Sequence, residues 1–558
     1  MRTSISWARL SILVIVLLAG AGCRRESPDG SSKQLEALTP SRGIILISID
    51  TLRADRLGAY GYPLDTSPTF DRLARKGVLF ERAIAQYPST LTSHMSLFTG
   101  FYPQEHRVLP PSTVLAESIG TFPERFKAHG FKTAGHTEGG FVSGGYGFRR
   151  GFDEFTDTSY RSDTDVERTF ERGLTFLRNL ESDDRFLLFL HTYSVHDPYA
   201  PPDEYRQLFW SEDPPHVFDS SGENLRLFNR GKLELSEEGL AYFEAMYDAS
   251  VRYVDDVLAD FVSELENLGL MSDTVLIVTS DHGEEFREHG RLAHTQIYPE
   301  CLQVPLLVVH PEVGSGRRIA NLVELVDIAP TLYELAGLEV PSGLSGSGLL
   351  EQIASSESTV SESQAYAEVL DVEFAYTLWS QKRDHLYQML MAEPELDPTG
   401  PWVRSGVSFD TEESSIRFEA HSFFEPRTVH VRVDGESQPD LALRPEWRSV
   451  ELELPEGAGV RRVELEADGC RSPADVGEGE DDRCLAFQVR GLRPLRFELY
   501  DLIADPDAQH DIYRESRRVG SALRRRLLGL KWEALESGKE RELSSEDEET
   551  LRALGYLD

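Results

Sequence analysis

Five short candidate strands, most of them largely apolar, punctuate the first two-thirds of the chain: Ile44–Ile49, Phe131–Ala134, Phe186–Leu190, Thr274–Thr279 and Val304–Val309. A strand that is apolar on both sides has both faces buried, and amphipathic stretches between such strands predict helices packed on the two faces of one sheet. Helical spacing is clearest over Val251–Leu268, and in a second stretch that starts at Val323 and stops near Gly337. This α/β block runs from residue 43 to about residue 390. From Ser405 to Val489 the period changes to two, in Val407–Phe409, Ser415–Ala420, Thr428–Val433, Ser449–Leu454 and Arg462–Ala467. Strands this short, separated by Gly, Pro and Asp, predict a small antiparallel sandwich. Residues 493–558 close the chain, and Arg514–Asp558 reads as a charged helical tail.

The N-terminus has a different pattern. Arg2 and Arg9 precede the apolar run Leu10–Leu18, the small residues Ala19–Gly22, and then Cys23. This is the layout of a secretory leader over residues 1–22, and its apolar stretch is too short for a comfortable membrane span. A Cys directly after small residues resembles the bacterial lipoprotein signal. That resemblance implies acylation of Cys23, a lipidated tether over residues 23–42, and an exported protein held at the cell envelope by lipid alone. Three further cysteines occur, and export allows Cys470 to pair with Cys484 across an acidic loop.

Composition narrows the function. The 558 residues are 40% hydrophobic and 10% aromatic, enough for a large core, so a disordered or fibrous chain is excluded. A net charge of −38 argues against nucleic acid as a partner, because phosphate backbones are bound by Lys and Arg contacts that release counterions. The charge is uneven: residues 1–150 carry 18 basic and 12 acidic groups, or +6, leaving −44 for the rest.

Candidate chemistry gathers where strands end, the place open α/β sheets put their sites. Asp50 ends the first strand, Pro88–Gly100 is a hydroxyl-rich turn entering a helix, and Thr279–Glu285 contains Asp281 and His282, with His289 and His294 beyond. Taken singly, Asp50 and Thr90 also suit helix caps. An Asp–His pair directly after an apolar strand is costly to bury without a partner. Two carboxylates and an imidazole together suit a divalent ion, Zn, Mn or Ca according to geometry. A Ser or Thr hydroxyl beside such an ion is activated as a nucleophile.

In order and together these segments resemble the sulfatase family of the alkaline phosphatase superfamily. The resemblance is carried by Asp50–Tyr62, Ser96–Pro103, Gly151–Phe155, His191–Tyr199, Ser280–Glu285, Val304–Leu307, Val326–Thr331, Leu499–Pro506 and Leu554–Tyr556. It implies a large mixed sheet flanked by helices, with a smaller C-terminal subdomain into which residues 405–489 are inserted. It also implies a metal held by Asp50, Thr90, Asp281 and His282, and a catalytic set of Thr90, His94, His196 and His294. His196 and His294 match positions that contact the transferred group or protonate the leaving oxygen.

The departures from the family pattern bear on the chemistry. Where the family has Cys or Ser followed by x-Pro-Ser-Arg, this chain has Thr90-Leu-Thr92-Ser93-His94. Formylglycine is made from Cys or Ser, so Thr90 would act directly, as Thr does in relatives that transfer phosphoryl groups, with Ser89 or Ser93 taking that place if the register of the match slips. Thr51 replaces the second Asp of the usual pair, and His282 replaces a common Asn. The reading is a metal-dependent hydrolase of sulfate esters acting on an anionic small molecule or glycan. The alternatives are a phosphodiesterase, phosphomonoesterase or phosphoryl transferase of the same superfamily, or a non-catalytic surface protein that binds an anionic glycan.

Overall fold

The computed structural model describes residues 38–157, 165–355 apart from small gaps near 214–221, 230 and 315, and most of 364–554. The leader, Cys23, the tether up to residue 37, Cys484 and the closing residues 555–558 lie outside the described residues.

Eight strands form the main sheet: β1 (Gly43–Ile49), β2 (Val78–Ile84), β3 (Lys132–Thr137), β4 (Glu154–Asp157), β5 (Phe186–Thr192), β6 (Thr274–Thr279), β7 (Gln303–Val309) and β8 (Arg317–Glu324). Their spatial order is β8-β2-β7-β6-β1-β5-β3-β4. Every pairing is parallel except the two made by β7, which runs antiparallel to both β2 and β6. The sheet is therefore mixed.

β1 shows why both faces are covered. Its residues are all buried, and they alternate between two separate cores. Ile44 and Leu46 join the core that contains Leu91, Met95, Phe98 and Leu332. Ile45 and Ile47 join the one that contains Phe170, Val251, Val254 and Leu258. The first face thus carries helix α1 (Thr90–Thr99), and the second carries α2 (Asp165–Arg178) and α3 (Glu237–Asn267). α3 begins 14 residues before the predicted Val251, at a Ser236 cap whose side chain accepts from the Gly239 N–H. The stretch predicted as helix from Val323 is corrected: Val323 and Glu324 finish β8, and the helix α4 covers Ile328–Leu335.

After α4 the chain builds a four-stranded antiparallel sheet from Gln364–Val369, Ala375–Ser380, His385–Met391 and Leu495–Asp501. His385–Met391 pairs directly with Leu495–Asp501, so the chain leaves this sheet and returns to it about a hundred residues later. Between those strands stand two antiparallel sheets, of five and four strands, sharing one apolar core that includes Val407, Phe418, Val431, Val450 and Leu465. This is the expected sandwich, and it also takes in Leu396–Asp397, Gly400–Val403 and Phe487–Arg490. Cys470 is disulfide-bonded, and Arg471 pairs with Leu485 in an antiparallel bridge beside it. The tail is helical over Ser545–Ala553, whereas Glu540 bridges Thr113 as extended chain.

Candidate active site

Register brings the predicted residues together. Ser48 of β1 lies level with His191 of β5 and Thr279 of β6. The residues just beyond these three strand ends, Asp50, Tyr193–Asp197 and Asp281–Glu284, therefore emerge side by side. α1 starts at Thr90 and ends at Gly100, whose φ of 73° is the left-handed conformation glycine adopts without strain. All ten residues of α1 are buried, and its first turn meets the same strand ends.

Asp50, Asp281 and His282 are completely buried, with one donor atom from each lying within 4.8 Å of the others. Asp50 Oδ2 accepts from His191 Nε2 at 3.1 Å, and Asp50 also takes a hydrogen bond from the Thr90 hydroxyl. Thr51 N–H donates to Asp281 Oδ1 at 3.3 Å. Asp50 Oδ1 and Asp281 Oδ2 have no hydrogen-bond partner, which is expensive for buried carboxylate oxygens. His282 Nδ1 donates to the Gly283 carbonyl at 3.0 Å, which leaves Nε2 as a lone pair 3.3 Å from Thr90 Oγ1 and 3.3 Å from Asp281 Oδ2. Two unsatisfied carboxylate oxygens and an imidazole lone pair converging in one buried place fit a divalent cation.

The charges say the same. Burial and the neighbouring Asp281 push Asp50 well above the usual carboxylate range. Burial opposes ionisation of Asp281 too, but His282, His94 and His191 outweigh it and hold Asp281 low. Without a cation, one carboxylate keeps its charge at the expense of the other.

His94 lies one helical turn after Thr90. Its Nδ1 donates to the Thr90 carbonyl at 2.9 Å, and its Nε2 accepts from Ser48 Oγ at 2.9 Å. It thus ties the start of α1 to β1. Thr51, where the family pattern has a second Asp, sits at φ 54°, a strained conformation for a β-branched residue. Three contacts hold it there: its N–H to Asp281, its hydroxyl to the Val195 carbonyl at 3.1 Å, and its own carbonyl to Tyr247 OH at 2.9 Å.

His196 and His294 adjoin this group. Their Nε2 atoms are 3.2 Å apart, and the His294 ring centroid is 4.3 Å from that of His282. Burial pushes His196 down to about 4, and burial with the nearby His282 and His196 puts His294 well below its usual value, so both rings are neutral. His191, quoted above only as the start of a motif, enters the site through Asp50. Asp197 and Glu284, inside the quoted motifs but given no role there, also face this region: Glu284 is buried, accepts from Tyr199 OH at 2.9 Å, and is pushed up by burial and then by Asp197. His289 belongs to a separate knot, where it meets Glu300 at 2.5 Å and the Ala508 carbonyl at 3.0 Å. His136 stands at the end of β3, 3.2 Å from Thr156 Oγ1. Lys382 and Arg383, cations that could anchor an anionic substrate on the sequence alone, lie outside the described residues.

Comparison with known proteins bears on the family and the fold. The family model described as Sulfatase matches residues 42–338. Iduronate 2-sulfatase of Homo sapiens is 26% identical over 398 residues, 56% of this chain and 72% of that protein. Among solved structures, one of a protein in complex with its substrate D-glucosamine-2-N,6-O-disulfate aligns at a TM-score of 0.56 and 16% identity, covering 88% of this chain and 96% of that one. The phosphonate monoester hydrolase of Agrobacterium radiobacter aligns at 0.57 and 16% identity, covering 88% and 95%.

Proposed function

Because the chain belongs to the sulfatase family, and so to the sulfuric ester hydrolases, we propose that it cleaves sulfate esters of an anionic small molecule or glycan with Thr90 Oγ1 as nucleophile. The observation that carries this reading is the placement of Thr90. Its hydroxyl is buried at the start of a helix, bonded to Asp50 and 3.3 Å from His282 Nε2.

The divalent ion that Asp50, Asp281 and His282 would hold supplies charge that lowers the pKa of the Thr90 hydroxyl and offsets charge growing on the transferred oxygens. Asp50 accepts the hydrogen bond that orients Oγ1. His94 acts as a positioning residue, because its bonds to Ser48 and the Thr90 carbonyl fix where the first turn of α1 sits. The N–H groups of that turn, at the positive end of the helix dipole, add a partial positive charge near the nucleophile. A bond forms from Oγ1 to sulfur as the Oγ1 proton passes to solvent, the ester S–O bond breaks, and the leaving oxygen takes up a proton from water beside the neutral His196 and His294. Water then adds to sulfur, one of its protons returns to Oγ1 and the other is released, and the S–Oγ1 bond breaks.

Thr90 also supports a second reading, phosphoryl transfer or hydrolysis, since a direct hydroxyl nucleophile needs no formylglycine. The fold shared with a phosphonate monoester hydrolase is compatible with it. Turnover of aryl sulfate, aryl phosphate and aryl phosphodiester by the Mn- or Zn-supplemented protein separates the two. The sulfate reading expects the aryl sulfate to give the highest kcat/KM. A preference for either phosphorus ester of about 100-fold or more, a gap of about 2.7 kcal/mol in transition-state stabilisation, overturns it. The lipid anchor has its own test: the mass of the mature N-terminus should show an acylated Cys23, and any other first residue removes it.

A further inference from the structure

We propose that the inserted sandwich carries a binding site for an acidic saccharide chain, at the end where Phe424 and Trp447 emerge. Two connections cross between its sheets there. Residues 422–427 lead from the strand Ser415–Ser422 to Arg427–Val433, and residues 443–448 lead from Glu436–Leu443 to Arg448–Glu453. The Ser422 N–H donates to the Arg444 carbonyl at 2.9 Å, so the two connections run side by side. Together they line a groove of about 480 Å³, walled by Pro426, Arg427, Ala442, Arg444, Pro445 and Glu446. That volume is in the range of small-ligand sites.

The aromatic side chains on this rim point to a ligand. Among the described residues, no Phe or Trp is more exposed than Phe424, at 50%, and Trp447, at 38%. Both belong to these two connections. Phe424 sits at φ 59°, in a three-residue turn closed by the Glu425 N–H on the Phe423 carbonyl at 2.6 Å. Such a backbone is costly for a bulky residue, and burial of the ring does not offset it. Strain of this kind gathers where a side chain is held out for binding. The Trp447 ring rests on His421, with centroids 4.3 Å apart, which fixes its plane before any ligand arrives.

The groove combines ring faces with charged edges, and a pyranose does the same. Its C–H bonds meet the negative face of an aromatic ring, while its hydroxyl and acid groups lie at the rim. Charge selects an acidic chain. Residues 405–489 carry 9 basic and 20 acidic groups, or −11, whereas 421–428 and 442–448 hold Arg427, Arg444 and Arg448 against Glu425 and Glu446, or +1. Glu425 holds Arg427 at 2.7 Å, and Arg444 and Arg448 are exposed. The guanidinium fork suits carboxylate and sulfate oxygens. Two rings and a groove of this size fall short of the roughly 1,000 Å² that a stable protein interface buries. The choice of a saccharide rests also on the proposed glycan ester. Because the sandwich is built into the C-terminal subdomain, a chain held there stays near the catalytic unit at raised local concentration.

Calorimetric titration of the full-length protein with sulfated octasaccharides of heparin, chondroitin sulfate and fucoidan tests the site. At least one should bind wild type, and Phe424→Ala/Trp447→Ala should weaken it about 10-fold or more, with kcat/KM for a monomeric aryl ester unchanged. Failure of all three to bind wild type overturns the proposal. So does a double variant that binds as tightly, because the saccharide then sits elsewhere, as in the active site. A desulfated octasaccharide held as tightly as its sulfated parent overturns it as well. If the double variant does not fold, Arg444→Ala decides by the same comparison. Binding without turnover of any ester sinks the hydrolase reading and leaves this site standing. Turnover without binding does the reverse.

Discussion

His191 shows how a single side chain can matter without touching substrate. It donates to Asp50 Oδ2 from a fully buried position, so it orients a carboxylate that would otherwise rotate or protonate. Partners of metal ligands typically account for 10–100-fold in affinity. His191→Ala should therefore weaken divalent-ion affinity by about 10–100-fold with the fold intact, and His191→Gln should recover part of it; calorimetric titration measures both. His106 gives a different residue-scale prediction. Its Nδ1 accepts from Val108 N–H at 3.0 Å, so Nε2–H donates to Ser96 Oγ at 3.0 Å, and burial pushes its pKa down to about 3 from 6.5. Between those values the unfolded chain binds a proton that the native one refuses, so stability is full above pH ~6.5 and falls as pH drops toward 3. Denaturant titrations should give His106→Gln an acid slope shallower by up to one proton, about 1.4 kcal/mol per pH unit; equal slopes would contradict the assignment. Of the site itself, Asp50, Thr90, Asp281 and His282 were legible because their residue types sit at strand ends in a recognisable order. Asp197 and Glu284 were not, because a lone carboxylate in a loop gives no signal until β5 and β6 bring the two loops together across β1.

Between residue and domain, legibility depended on how evenly an element is buried. β1, β5 and β6 are buried at every position, and unbroken apolar runs mark them. β2 carries Glu81 and Arg82 in its middle, where its pairing with both neighbours also shifts register, so no run marks it. β8 passes into α4 with apolar residues on both sides of the junction, and Val323 therefore reads as helix although it ends a strand. The sandwich was plain from period two alone, because one face of each strand meets a shared core and the other meets water. α1 is the element on which the site depends. Phe98, two turns below Thr90, packs its ring 4.5 Å from Phe122, 4.9 Å from Phe189 and 5.0 Å from Phe148. Phe98→Ala should cost about 3–5 kcal/mol of unfolding free energy, read as a lower urea midpoint at unchanged slope. A loss below about 1 kcal/mol would mean that α1 is not anchored through this cluster.

For the molecule as a whole, the net charge of −38 sets a problem, since an anionic ester must approach against it. On the proposed reading the attraction is local, from the divalent cation that Asp50, Asp281 and His282 would hold and from the mildly basic first 150 residues that contain Asp50 and Thr90. Raising ionic strength from about 10 to about 150 mM shortens the screening length from about 30 to about 8 Å, which hides the distant negative surface more than the site. kcat/KM for an aryl sulfate should therefore rise with salt across that range; a fall would show that the surface attracts the substrate instead. The central claim is narrower than any of these, namely that Thr90 Oγ1 makes the bond to the transferred group. Its most direct test is the rate of the preferred aryl ester for metal-loaded Thr90→Ala beside wild type, each checked for equal metal content. The account predicts a loss of at least about 1,000-fold in kcat, the scale on which covalent catalysis collapses when its nucleophile is removed. Turnover by Thr90→Ala at the wild-type rate would contradict it.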